Sequence, residues 1–188
     1  MSIIYKNDLI KIEIESSEIP WLKIFTIKEL KEFSPEIILN RINAVLLKEN
    51  IGGRFITAIC FAYNQEKETL EFSSAGHDPL IFYNNKKNSF EKYGSDSLVL
   101  GVMEETYTKK EIKFSKDDIA IFYTDGVVEA RKENGEFYEV EKFLKSIENK
   151  KDCNAGEMVE GIYRDIKTFT EEAKQNDDIT ILVIKGEN

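Results

Sequence analysis

Asp125, Asp177 and Asp178 are the residues of this sequence best placed to do chemistry, because they border apolar runs. Residues 119–123 (IAIFY) are a short run of β-formers that reads as a buried strand, and it ends in Thr124-Asp125-Gly126. Asn176-Asp177-Asp178 precedes a second such run, residues 179–185 (ITILVIK). A carboxylate at the end of a buried strand is costly unless it is paired, hydrogen-bonded or bound to a metal. Asp125-Gly126 therefore has two readings, a plain turn former and a metal ligand. If the two strands are antiparallel neighbours, the end of the first lies beside the start of the second. Mg2+ and Mn2+ take oxygen ligands, often carboxylates completed by several waters. Such a centre can present a metal-activated water to a phosphoryl group.

Other chemistries find less support. His77 is the only histidine, so Ser-His-Asp and Cys-His triads are nearly excluded unless it is the base. Its setting, Ala75-Gly76-His77-Asp78-Pro79, favours a structural role in a loop, through a backbone hydrogen bond, over a catalytic acid. The two cysteines, Cys60 in an expected strand and Cys153 in an expected loop, show no Cys-x-x-Cys or Cys/His spacing. Zinc, a disulfide framework and a thiolate nucleophile are disfavoured.

The elements that must position these residues belong to one ordinary globular domain. The chain has 188 residues, 41% hydrophobic and 32% charged. A net charge of −9 argues against a nucleic-acid binder, which needs a basic face. No apolar run of about 18 residues occurs, and the N-terminal stretch carries charges throughout. The reading is a soluble, cytoplasmic protein without membrane insertion.

Residues 9–14 alternate as a half-buried strand, and residues 21–33 carry an imperfect helical stripe. Ser34 and Pro35 suit the N-cap and first turn of a helix whose apolar face is Ile37, Ile38, Ile42, Val45 and Leu46. After Gly52-Gly53 the period becomes that of strands, over residues 54–64, 69–75 and 79–84. Tight connections at 64–68 and 75–79 predict an antiparallel meander of the three. A short strand at 90–93, an apolar loop at 98–101 and a strand at 106–114 follow. Residues 138–147 read as a helix, and Asn154 with Glu157 as the capping box of another, with Met158, Ile162, Ile166 and Phe169 on one face. The whole mixes antiparallel strands with four helices, an α/β (α+β) chain.

Several segments, in order, resemble the SpoIIE-type branch of the PPM metal-dependent Ser/Thr protein phosphatases. They are SPEIILNRINAVLL (34–47), RFITAICFAY (54–63), LEFSSAGHDPLIFY (70–83), LVLGV (98–102), DDIAIFYTDGVVEAR (117–131) and QNDDITILVIK (175–185). The AGHxP, YTDGVxEAR and DDIT pieces are the most telling. The resemblance runs from about residue 19 to 185 and implies an α-β-β-α sandwich of mainly antiparallel sheets flanked by helices. It implies a site for Mn2+ or Mg2+, two ions in the family, with Asp125 and Asp177 as ligands and Asp178 and Gly126 shaping the turns. It also implies a phosphoserine/phosphothreonine phosphatase using metal-activated water, with no residue forming a covalent phosphoenzyme. The substrate would be a phosphorylated bacterial regulatory protein of the anti-sigma-antagonist type.

The front of the chain departs from that pattern. Aligned on Pro20, the family's Asp-Val-Ser-Gly-His-Gly falls on Glu13-Ile14-Glu15-Ser16-Ser17-Glu18. Glu13 stands where the metal-bridging aspartate belongs, as a possible third ligand one methylene longer. The glycines that permit close backbone approach are gone. The family's upstream Gly-Asp strand would lie before Met1 or be absent. The alternative expectation is a catalytically weakened phosphatase-like module that binds a signalling partner.

Overall fold

The computed structural model describes residues 2–6, 9–13, 34–49, 53–64 and 66–186. The described elements are β1 (Ser2–Lys6), β2 (Leu9–Glu13), α1 (Pro35–Glu49), β3 (Ala58–Asn64), β4 (Thr69–Ala75) and β5 (Leu80–Asn84). There follow β6 (Ser89–Tyr93), β7 (Lys110–Lys113), β8 (Ile119–Tyr123), α2 (Glu139–Glu148), α3 (Ala155–Thr170) and β9 (Ile181–Lys185). Among the described residues no helix is long and apolar enough to cross a membrane.

Strands β1 and β2 form an antiparallel pair, and the others make two antiparallel sheets ordered β3-β4-β7 and β6-β5-β8-β9. Alternation along each strand explains why the sheets stack. Leu80, Phe82, Ala120 and Phe122 face the first sheet, where they meet Leu70, Phe72, Ile112 and Phe114. Phe61 of β3 stacks on Phe122 of β8 across that interface, with ring centroids 4.4 Å apart. The odd-numbered residues of the same strands, Ile81, Tyr83, Ile119, Ile121 and Tyr123, face the other way. There they pack on Phe143 and Ile147 of α2 and on Met158, Ile162 and Ile166 of α3. Helix α1 covers the opposite face of the first sheet, with its Leu39 and Leu46 clustered with Ala75 of β4. The result is an α-β-β-α sandwich, as the resemblance implies. Full burial of each such apolar side chain stabilises it by roughly 1.5–3 kcal/mol.

The three-strand meander does not form. β3 pairs with β4, but β4 continues to β7, while β5 pairs with β6 and β8. Residues 75–79 are thus a crossover between sheets rather than a hairpin turn. The physical reason lies in burial: Leu80, Ile81, Phe82 and Tyr83 are all buried, which requires a strand covered on both faces. Residues 106–114 contribute a strand only over Lys110–Lys113, and the stretch expected over 54–64 becomes a strand only from Ala58, with Ile56 bridged singly to Leu100.

Helix α1 also turns a different face inward from the expected one. Its buried residues are Pro35, Leu39, Asn43 and Leu46, whereas Ile42 and Val45 are exposed. Two asparagines account for the rotation. Asn43 accepts from the Gly101 N–H at 2.8 Å and donates to the Met103 carbonyl at 3.0 Å. Asn40 accepts from the Tyr107 N–H at 3.1 Å and donates to its carbonyl at 3.2 Å. Together they fasten loop 100–107 to the helix. Ser34 precedes the helix as expected, but its hydroxyl bonds the Glu36 carboxylate. The Asn154–Glu157 capping box of α3 forms in both directions. The helical stripe at 21–33 lies outside the described residues.

Cys60 lies on β3 and faces the α1 side. Burial, and next the nearby Glu36 carboxylate, push its thiol up to about 11. A thiol held in that way is a poor nucleophile at neutral pH, unlike the activated cysteine of a cysteine phosphatase. Iodoacetamide at pH 8 should therefore label Cys60 only in the unfolded chain. Because the folded pKa lies above the free value of 9.0, the associated stability is whole below pH 9 and is lost as pH rises towards 11. A Cys60→Ala chain should lose less in urea midpoint over that interval than the parent.

Candidate active site

The register of β8 with β9 sets Tyr123 opposite Ile181, so the exit of one strand adjoins the entry of the other. Thr124 clasps the junction. Its N–H donates to the Thr180 carbonyl at 3.1 Å. Its hydroxyl accepts from the Thr180 N–H at 2.9 Å and donates to the Asp178 carbonyl at 2.9 Å.

The turn that follows is tight: Val127 N–H donates to the Thr124 carbonyl at 2.9 Å and Glu129 N–H to the Asp125 carbonyl at 2.8 Å. Asp125 Oδ1 accepts from the Gly126 N–H at 2.9 Å. On the other side Asp177 Oδ1 accepts from the Asp178 N–H at 2.7 Å. Gln175 donates to the Asp177 carbonyl at 2.9 Å, and Arg131 donates to Asn176 Oδ1 at 2.9 Å. Both turns are thus held by several bonds each. Asp125, Asp177 and Asp178 remain exposed.

Gly126 is buried between them for a steric reason. A Cβ built there would lie 2.4 Å from the Asp178 carbonyl oxygen and 3.0 Å from its carbon. The two turns therefore interlock, backbone against backbone, at a place where only glycine fits.

A further acid joins this end of the sandwich through the crossover between sheets. Burial raises the pKa of Asp78, the His77 ring opposes that rise, and the Asp125 and Glu129 carboxylates add to it. Burial lowers the pKa of His77 against the pull of Asp78 and Asp125. The 75–79 loop thus sits within electrostatic reach of Asp125. Read from sequence as a turn between neighbouring strands, that loop gave no sign that Asp78 belongs near the acids. The backbone hydrogen bond expected of His77 is not formed among the described residues. Instead Gly76 donates its N–H to Ser95 Oγ at 3.1 Å.

Asp125 and Asp177 each have one oxygen bonded locally and the other turned to no described partner, and a carboxylate oxygen is the kind of donor a hard divalent cation takes. Mg2+ commonly accepts one or two protein carboxylates, with water and phosphate oxygens completing its shell. Among the described residues no group of three or more His, Cys, Asp or Glu converges into a fuller site. Glu13 ends β2 opposite Ser2, and its side chain, with residues 14–33, lies outside the described part of the structure.

The family model of Stage II sporulation protein E (SpoIIE) matches residues 22–187. Phosphoserine phosphatase RsbU of Bacillus subtilis (strain 168) is 32% identical over 152 residues, which are 80% of this chain and 45% of RsbU. The chain thus spans less than half the length of that relative. Among solved structures, the SiaA-PP2C domain of Pseudomonas aeruginosa matches with a TM-score of 0.74 at 17% identity, over 86% of this chain and 64% of that one. The Mn-presoaked phosphatase domain of SpoIIE from Bacillus subtilis matches with a TM-score of 0.60 at 17% identity, over 95% and 76%. At such identities these two likenesses speak for the fold. Taken with the family match over most of the chain, they place it: this protein belongs to the SpoIIE family, in the SpoIIE-type branch of the PPM protein phosphatases.

Proposed function

We propose that this chain is a metal-dependent protein serine/threonine phosphatase. It hydrolyses phosphoserine or phosphothreonine on a bacterial regulatory protein of the anti-sigma-antagonist type, in the cytoplasm. The observation that carries the reading is the interlock of the Asp125-Gly126 and Asp177-Asp178 turns at the ends of paired strands. Asp125 and Asp177 would hold Mn2+ or Mg2+, with Glu13 as a third ligand and residues 1–188 acting as one domain. When bound, such a cation lowers the pKa of water and offsets charge on phosphoryl oxygens. Thr124 fixes the spacing of the two carboxylates, and Gly126 lets the turns approach. The exposure of the acids leaves room for a side chain presented by a folded protein substrate.

The test is phosphate release from a phosphoserine protein in Mn2+. It should stop with EDTA and return with added Mn2+, while calorimetry records Mn2+ binding. A second reading, a weakened module that binds a signalling partner, is favoured by the segment Glu13-Ile14-Glu15-Ser16-Ser17-Glu18, which carries neither the bridging aspartate nor the glycines of the family motif. Folded protein with neither turnover nor Mn2+ binding would decide for it.

A further inference from the structure

Beside the acidic turns lies a cleft of roughly 210 Å3 whose walls come from residues 126–131, the end of α3 and residues 173–179. Gly126 and Asp177 belong to both the cleft and the turn pair. Ala130, Ile166 and Ile179 supply apolar lining, and Arg131, Lys167 and Lys174 supply cations. Arg131 donates to the neutral Asn176 at 2.9 Å and Lys167 to the neutral Gln175 at 3.2 Å. Among the described residues, none of the three cations forms an ion pair with a carboxylate, although lysines elsewhere do. Glu129 and Asp177 also line the cleft on the side of the acidic turns, so in a chain of net charge −9 the three cations give it a modest positive excess, and that excess favours an anionic visitor.

The size narrows that visitor. Small-molecule pockets usually run to about 300–1,000 Å3, so this space suits one or two side chains. Its position narrows it further. An extended chain advances about 3.3 Å per residue, so a peptide in the cleft has its next few residues at Asp177.

We propose that the cleft receives the segment flanking the phosphoserine of the protein substrate. An acidic side chain lies against Lys167, Lys174 and Arg131, and an apolar neighbour lies on Ile166 and Ile179. The inference rests on the phosphatase reading, and it makes the enzyme selective for phosphoserine followed or preceded closely by an acid.

Two labelled phosphoserine peptides of equal length test it, one with Asp and Leu within three positions of the phosphoserine, the other with Lys and Ser there. Fluorescence anisotropy without added metal measures binding free of turnover. The acidic peptide should bind about tenfold more tightly, the worth of two partly exposed charge pairs. Raising salt to about 0.5 M should erase most of that preference. Lys167→Glu with Lys174→Glu should invert it. Lys174→Glu alone, outside the helix, should give about half the shift and guards against disturbance of the end of α3. Equal binding of the two peptides, or a preference that charge reversal leaves standing, overturns the proposal. Turnover in Mn2+ is measured separately: if neither peptide is hydrolysed the phosphatase reading fails, while the binding comparison still judges the cleft.

Discussion

Asp125→Asn should lower Mn2+-dependent phosphate release from a phosphoserine protein by about a thousandfold or more. A cation contributes several kcal/mol to a phosphoryl transition state, and each 1.4 kcal/mol or so is tenfold in rate. The substitution is close to isosteric and keeps an oxygen to accept the Gly126 N–H, the bond that Asp125 Oδ1 makes at 2.9 Å. Asp125 is also exposed, and exposed positions of this kind change stability by about 0.5 kcal/mol or less. The melting temperature should therefore hold while Mn2+ binding by calorimetry weakens. Undiminished Mn2+-dependent turnover in the variant would place Asp125 outside the chemistry.

Gly126→Ala should be the most damaging single methyl in the molecule's site, although it removes no functional group. The new Cβ would sit 2.4 Å from the Asp178 carbonyl oxygen, and both contacting groups are backbone, so no side chain can swing aside. Overpacking of this kind costs about 1–3 kcal/mol, which lowers the melting temperature of a chain this size by about 2–12 °C. Relief comes by pushing the 176–179 turn off the end of β8, which separates Asp177 from Asp125 and takes activity with it. Gly94→Ala is the control, because a Cβ there meets nothing within 4 Å. If Gly126→Ala melts and turns over like Gly94→Ala, the interlock has no part in holding the site.

Much of the site's scaffold could be read directly. Residues 119–123 are continuous apolar β-formers because β8 is covered on both faces, and 176–185 mark their turn with Asn-Asp-Asp before the second run. The pairing of those strands entered the sequence reading only as a condition, and the register of β8 with β9 meets it. The split into two sheets was not legible in the same way. A buried strand crossing to a new sheet and a buried strand folding back on its neighbour have the same apolar pattern. The 75–79 loop contains the same turn-forming residues in either case. That one ambiguity hid Asp78, whose nearness to Asp125 depends wholly on the crossover. The inward face of α1 was hidden for a different reason. Asn40 and Asn43 look like surface residues until a loop backbone more than fifty positions away supplies their partners.

Thr124 and Thr180 are joined across 56 positions of chain, and helices α2 and α3 lie within that span. Helices form from local contacts in about a microsecond, whereas strands so far apart in sequence must first close a long loop. β9 therefore docks on β8 more slowly than either helix forms. Until it does, Asp125 stands at the end of its strand without Asp177 beside it. The proposed site thus needs a long-range strand pairing as well as its local turns, so a chain in which β9 has not docked on β8 presents only one of the two acidic turns.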